Sequence, residues 1–137
     1  MNVTPSMCVV DASALIDSVL DPGALGRSTR LLLASTQTHA PHLVDAELGS
    51  VLRRIVLRGE LPANVAANRL GHAQALVDVR HRMIGRLSSA AWALREDITF
   101  YEAMYVSLAS ALGQPLMTSD GRLAAAARRH CEVLQLA

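Results

Sequence analysis

Four acids of this chain, Asp11, Glu47, Glu102 and Asp120, stand where a hydrophobic run ends or in a helix that should be buried. Asp11 closes the apolar run Met7-Cys-Val-Val, and Asp120 closes Leu116-Met-Thr-Ser. A short apolar run that ends on an acid reads as a buried parallel strand that carries a carboxylate to the carboxyl edge of a sheet. In open α/β sheets that edge is where ligands bind. Glu47 and Glu102 join the pair from predicted helices. Carboxylates gathered at one edge repel one another unless a cation lies among them, so the pattern points to a metal-dependent enzyme. No glycine-rich phosphate loop appears, and no Ser or Cys sits in a nucleophile motif, which leaves a metal-activated water as the attacking group. The histidines His39, His42, His72, His81 and His130 show no HxxxH-type spacing, so a zinc site is not expected.

Each acid also has an ordinary reading. Asp11 and Asp120 both precede predicted helices, where an aspartate caps the first turn, and capping is compatible with metal binding. If their two strands are neighbours, their tips lie side by side. Ser13 and Thr118 are then placed to hydrogen-bond the site acids, although a hydroxyl at a local turn is the plainer role. Glu102 falls within the apolar arc of a helical wheel begun at Phe100, an arc that holds Tyr101, Met104, Tyr105, Val106, Leu108, Ala109 and Leu112 as core positions and excludes Ser107 and Ser110. A carboxylate on a buried face costs several kcal/mol unless it is paired or holds a metal, and a buried ion pair with an arginine is the alternative. Glu47 lies in the first turns of a helix beside Asp45. The helix dipole favours both acids there, but only Glu47 shares a side with Val44, Leu48 and Val51. His42 precedes that helix and reads as a loop histidine.

The elements that must position these groups alternate. A strand is expected at 7–11, a helix at 12–20, a turn at Asp21-Pro-Gly and helix again over 28–35. A short extended piece at 38–41 precedes a helix over 44–58 with apolar residues at helical spacing. Gly59-Glu-Leu-Pro ends that helix, and Pro62 opens the next, to about 76. Alternation over 77–82 suggests a strand at the sheet edge. Helices at 83–94 and 99–112, a strand at 115–119, a helix at 121–130 and a strand at 132–136 complete the chain. Strands alternating with helices imply right-handed crossovers and a mainly parallel central sheet.

The 137 residues suit one domain spanning 1–137 with its own core. With 51% hydrophobic and only 3% aromatic residues, that core must be aliphatic, as helices on a parallel sheet require. No apolar run is long enough for a membrane span and the N-terminus lacks a signal layout, so no membrane partner is expected. Cys8 and Cys131 read as free thiols of a cytoplasmic protein. Net charge is +1, but all 13 basic residues are arginine, and setting the four site acids aside leaves the remainder clearly positive. Arginine grips phosphate in a bidentate fashion and stacks on bases, so such a surface could hold RNA around an acidic pocket; a GC-rich genome gives the same composition.

The segments Cys8-Val-Val-Asp-Ala-Ser-Ala-Leu, Ala40-Pro-His-Leu-Val-Asp-Ala-Glu, Thr99-Phe-Tyr-Glu-Ala-Met-Tyr-Val-Ser-Leu-Ala and Leu116-Met-Thr-Ser-Asp-Gly-Arg-Leu resemble the four blocks of PIN-domain ribonucleases. The resemblance is to the VapC-type toxins of toxin–antitoxin pairs and spans nearly the whole chain. It implies a three-layer α/β/α sandwich and an acidic quartet of Asp11, Glu47, Glu102 and Asp120 that binds Mg²⁺ or Mn²⁺ as both ligand set and catalytic centre. It further implies cleavage of single-stranded RNA, a homodimer, and inhibition by a cognate antitoxin protein. The third block of that family more often reads Tyr-Asp-Ala, where this chain has Tyr101-Glu102-Ala103. The extra methylene moves the carboxylate by about one bond length, on a scale where Mg²⁺ demands near-ideal octahedral geometry at about 2.1 Å. Arg122, two residues after Asp120, is the candidate for RNA phosphate, with an exposed helix arginine as its plainer role. Two rival readings stand beside the nuclease. One is an RNA- or partner-binding protein of the same fold with weak or no catalysis. The other is a phosphoryl-transfer enzyme with a strand-end Asp nucleophile, which ordinarily wants a lysine that this chain lacks.

Overall fold

The computed structural model describes residues 4–136 and is built around a five-stranded sheet in the order β3-β2-β1-β4-β5, every pair parallel. The strands are β1 (Met7–Val10), β2 (Gln37–Pro41), β3 (Val79–His81), β4 (Leu116–Thr118) and β5 (Val133–Gln135). Helices α1 (Ala12–Leu20) and α2 (Ala24–Ala34) join β1 to β2, and α3 (Val44–Leu57) and α4 (Ala63–Ala75) join β2 to β3. Helices α5 (Arg86–Ala93) and α6 (Phe100–Leu112) cross back to β4, and α7 (Gly121–Ala127) leads to β5. Right-handed crossovers that run first one way along the sheet and then the other place α1–α4 on one face and α5–α7 on the opposite face. The packing agrees: α1 contacts α2, α3 and α4, whereas α5 packs on α6. The three-layer α/β/α sandwich with a parallel centre is as the sequence implied, and β3 is an edge strand as expected.

Local chemistry explains most of the boundaries. The apolar runs of β1 and β4 are buried from Cys8 to Val10 and from Leu116 to Thr118, because helices cover both faces. Thr99 caps α6 in a reciprocal capping box with Glu102, and Gly113 ends that helix at φ 63°, in the left-handed region open to glycine. Pro62 stands at the N-cap of α4, one place before the helix it was expected to open. Helix α2 begins four residues earlier than the expected 28–35. Its first turn contains Gly26, where a Cβ would lie 1.9 Å from the Asp21 carbonyl oxygen, so close packing on the end of α1 overrides the low helical propensity of glycine.

Helix α6 departs from its wheel. Ser107, expected on the polar arc, is buried and donates to the Met104 carbonyl, whereas Tyr101, expected in the apolar arc, is 64% exposed. The helix is covered by β1, β2 and β4 on one side and by α5 on the other, so its middle is buried almost all round. Its first turn, in contrast, leaves the Tyr101 ring in solvent. Cys8 is buried and Cys131 half-buried, both free, and burial pushes each thiol up to about 11. Among the described residues no helix is long and apolar enough to cross a membrane.

Candidate active site

The chain leaves β1 toward β2 on one side and reaches β4 and β5 on the other, so the carboxyl ends of β1 and β4 border the switch point where open sheets form their binding crevice. The register pairs Val9 with Leu116 and Val10 with Met117. One step further, Asp11 comes alongside Thr118, and Thr118 Oγ1 donates to Asp11 Oδ2 at 2.6 Å. Asp11 also caps α1: its Oδ1 accepts from the Ala14 N–H at 3.0 Å and from Ser13 Oγ at 2.7 Å. Ser13 Oγ lies 3.2 Å from Thr118 Oγ1 and accepts from the Ser119 N–H, and Thr118 Oγ1 accepts from the Asp120 N–H at 3.0 Å. Ser13 and Thr118 therefore tie the two strand ends together while fixing Asp11. Asp120 caps α7, its Oδ1 accepting from the N–H groups of Arg122 and Leu123. The capping readings hold for both aspartates, and neither is thereby removed from the crevice.

Helices bring the two glutamates. Glu47 approaches from α3, and the buried Tyr105 of α6 donates to its Oε1 at 2.8 Å. Glu102, in the first turn of α6, takes Thr99 on Oε1 and the Arg122 guanidinium on Oε2 at 2.5 Å. The arginine partner weighed for Glu102 is thus present, although the glutamate side chain keeps 16% exposure and Arg122 lies 68% exposed on the rim. Asp45, the other acid of that first α3 turn, is held elsewhere by a two-pronged pair with Arg80 at 2.7 and 2.8 Å. His42 is exposed and takes no part in the crevice.

All four acids line one cavity of about 360 Å³, together with Ser13, Asp17 and Tyr105, over apolar walls that include Ile16, Val51 and Leu123. Asp17 and Tyr105 were not singled out from the sequence. Asp17 sits four residues after Ser13 on α1, hence on the same helical face. Tyr105 was grouped with the core, yet a buried phenol needs a partner for its hydroxyl, and that need was the available signal. The electrostatics are those of crowded carboxylates. Burial raises Asp11 above the ordinary carboxylate range, the Asp120 charge adds to this, and the hydrogen bonds from Thr118, Ala14 and Ser13 only partly oppose it. Burial likewise raises Glu47, and the charges of Asp11 and Glu102 add to it against the Tyr105 hydrogen bond.

These groups suit a hard divalent cation in donor type, since all are carboxylate oxygens whose crowding a cation would relieve. As the side chains lie, no three acidic, imidazole or thiol groups among the described residues stand close enough to enclose an ion. Glu102 is turned instead to Arg122 and Thr99.

Comparison with known proteins places this geometry in a family. The PIN domain model matches residues 8–129. The chain is 45% identical over 126 residues to Ribonuclease VapC1 of Mycobacterium tuberculosis, covering 92% of this chain and 95% of that protein. Among solved structures, VapBC2 from Rickettsia felis, bound to a DNA fragment from its promoter, superposes with a TM-score of 0.68 at 12% identity, over 96% of this chain and 99% of that one. VapC20 of Mycobacterium tuberculosis, a sarcin-ricin loop cleaving toxin, superposes with a TM-score of 0.61 at 19% identity, over 87% of this chain and 94% of that one. The chain belongs to the PIN domain family and, within it, to the VapC ribonucleases.

Proposed function

We propose that this protein is a divalent-metal-dependent endoribonuclease acting on single-stranded RNA, and the toxin member of a toxin–antitoxin pair. One observation carries the reading: Asp11, Glu47, Glu102 and Asp120, scattered over more than 100 residues, line a single cavity at the sheet's switch point. The ribonuclease names of its relatives support the substrate, and the VapBC pairing of one structural neighbour supports an antitoxin partner. A homodimer remains the expectation carried by the family resemblance. Two unpaired cysteines accord with a reducing compartment, and we place the protein in the cytoplasm.

In this reading Asp11 and Asp120 are the principal ligands of Mg²⁺ or Mn²⁺, with Glu47 and Glu102 completing the set directly or through water. When bound, such a cation lowers the pKa of a coordinated water and neutralises charge on the scissile phosphate. The chain's own residues do the rest. Ser13 and Thr118 fix the Asp11 carboxylate in one rotamer, and the α1 N-terminus holds it at the strand tip. Tyr105 orients Glu47 toward the crevice, where its carboxylate is placed to accept a proton from the attacking water. Arg122 stands at the mouth with an exposed guanidinium, placed to exchange Glu102 for an RNA phosphate as the strand enters.

A second reading, a protein of this fold that binds RNA or a partner with little catalysis, is favoured by the Arg122–Glu102 pair, which occupies one of the four carboxylates. One experiment separates the two. The purified chain is incubated with a mixed-sequence structured RNA in Mg²⁺, in Mn²⁺ and in EDTA, alongside Asp11→Asn. Cutting that requires metal and disappears in the variant is the expected result. Intact RNA throughout, with folded and partner-free protein, would leave the binding reading.

A further inference from the structure

The chain has four aromatic residues apart from histidine, and all fall between positions 92 and 105: Trp92, Phe100, Tyr101 and Tyr105. Only Tyr105 is buried, at the Glu47 carboxylate. Tyr101 is 64% exposed and Trp92 60% exposed, so both rings are open to a partner. Their placement is ordered. Tyr101 lines an open pocket of about 470 Å³ together with Glu47, Glu102 and Arg122. Its chain neighbour Phe100 meets Trp92 edge-on, with ring centroids 6.3 Å apart, and the Arg95 guanidinium stands 5.1 Å from the Trp92 centroid. Tyr101 thus stands at the mouth of the acidic crevice beside Arg122, while Trp92 stands on the neighbouring helix α5 against Phe100, with Arg95 at its ring.

We propose that Tyr101 and Trp92, exposed on the packed helices α6 and α5, form a stacking platform on which bases of a single-stranded RNA lie while its phosphate reaches the acidic crevice. The inference rests on the nuclease reading and deepens it by assigning residues to substrate recognition. A cavity lined by carboxylates repels a polyanion until a cation intervenes, so affinity must come from the rim. Flat rings and guanidinium groups supply it without regard to charge in the crevice. Stacking is tolerant of sequence because every base has a π face, and it requires the base to be unpaired, which selects single strands and loops over duplex.

Trp92 is the sole tryptophan, so its emission reports on the platform directly. The full chain carrying Asp11→Asn is titrated with a short mixed-sequence single-stranded RNA and with an abasic strand of the same length, following Trp92 fluorescence and, separately, the anisotropy of labelled RNA. Saturable quenching by the RNA is expected, with the abasic strand binding far more weakly. Tyr101→Ala should weaken binding about tenfold, within the range of about five- to 150-fold for loss of one stacked base, whereas Tyr101→Phe should retain it. In the otherwise native chain, Tyr101→Ala should raise KM more than it lowers kcat. Metal-dependent cutting with Tyr101→Ala, Trp92→Ala and base removal all within about twofold of the native affinity would overturn the platform alone. So would variants that shift only the monomer–dimer midpoint, which would assign the rings to a contact between copies. Failure of the native chain either to bind or to cut RNA would overturn both the platform and the nuclease reading.

Discussion

Replacing Asp11 by asparagine and by alanine separates its two jobs. The carboxylate accepts three hydrogen bonds, from the Ala14 N–H, Ser13 Oγ and Thr118 Oγ1, while carrying a charge that burial and Asp120 disfavour. Asparagine keeps one acceptor oxygen for Ala14 and Ser13. Its amide can donate to Thr118 Oγ1, which is free to turn its own proton toward Ser13 Oγ, 3.2 Å away. The network is rewired and the unfavourable charge is gone. In EDTA, Asp11→Asn should therefore melt at or above the native temperature once the native carboxylate is ionised, and its advantage should grow as pH rises. Alanine removes the helix cap, worth about 1 kcal/mol, and strips partners from two hydroxyls at about 1 kcal/mol each. Relative to Asp11→Asn, which sheds the same charge, a loss of about 3 kcal/mol, or roughly 10 °C for a chain of this size, follows. Saturation with Mg²⁺ or Mn²⁺ at about 100 times Kd should stabilise the native chain by about 2.7 kcal/mol and neither variant appreciably. Thermal melts of the three proteins in EDTA, Mg²⁺ and Mn²⁺ read all of this. An Asp11→Asn protein that melts as low as Asp11→Ala, or that keeps the native metal response, would refute the reasoning.

The other expectations concern the remaining groups of the site. Asp11 and Glu47 both have folded-state pKa values raised above the unfolded carboxylate range. The stability they lend is complete below about pH 4 and is lost as pH rises through the raised values, so the metal-free melting temperature should fall over that window and added Mg²⁺ should flatten the fall. A metal-free profile that rises across the window would count against crowded carboxylates. Tyr105→Phe removes a hydrogen bond to a charged acceptor and should cost about 1.5–3 kcal/mol while moving the acid limb of the pH–rate profile upward, since Glu47 loses the group that lowers it. An unmoved profile would deny Tyr105 its positioning role. Arg122→Ala, at a largely exposed side chain, should change stability by less than about 1 kcal/mol yet tighten Mn²⁺ binding severalfold by calorimetry, because it frees Glu102. Unaltered affinity would show that the ion pair does not compete with metal.

Much of this was legible in the residues. The runs ending on Asp11 and Asp120 announced buried strands with acids at their tips, and the structure has both acids there. Glu47 was separable from Asp45 by wheel position, and Asp45 is indeed committed to Arg80. What the wheel could not supply was the orientation of α6 in its layer. Angles between residues follow from the helical period, but which arc faces solvent depends on what packs there, so Ser107 is buried beneath α5 and Tyr101 lies bare. Asp17 and Tyr105 escaped notice for a related reason, since each looks ordinary on its own helix and gains a role only from what lies across the crevice.

The sequence by itself determined the kinds of group available. It set a parallel α/β sandwich through alternating periodicities, carboxylates without a protein nucleophile, and arginine as the only strong cation. Tertiary structure decided their convergence. A strand's apolar run specifies that it is buried without specifying its neighbour. Only the two opposite directions of crossover bring β1 against β4 and open a crevice between their ends. Only the docking of α3 and α6 at that edge delivers Glu47, Glu102 and Tyr105 into it. Charge repulsion acts over a few ångströms of space, and sequence separation is blind to that distance.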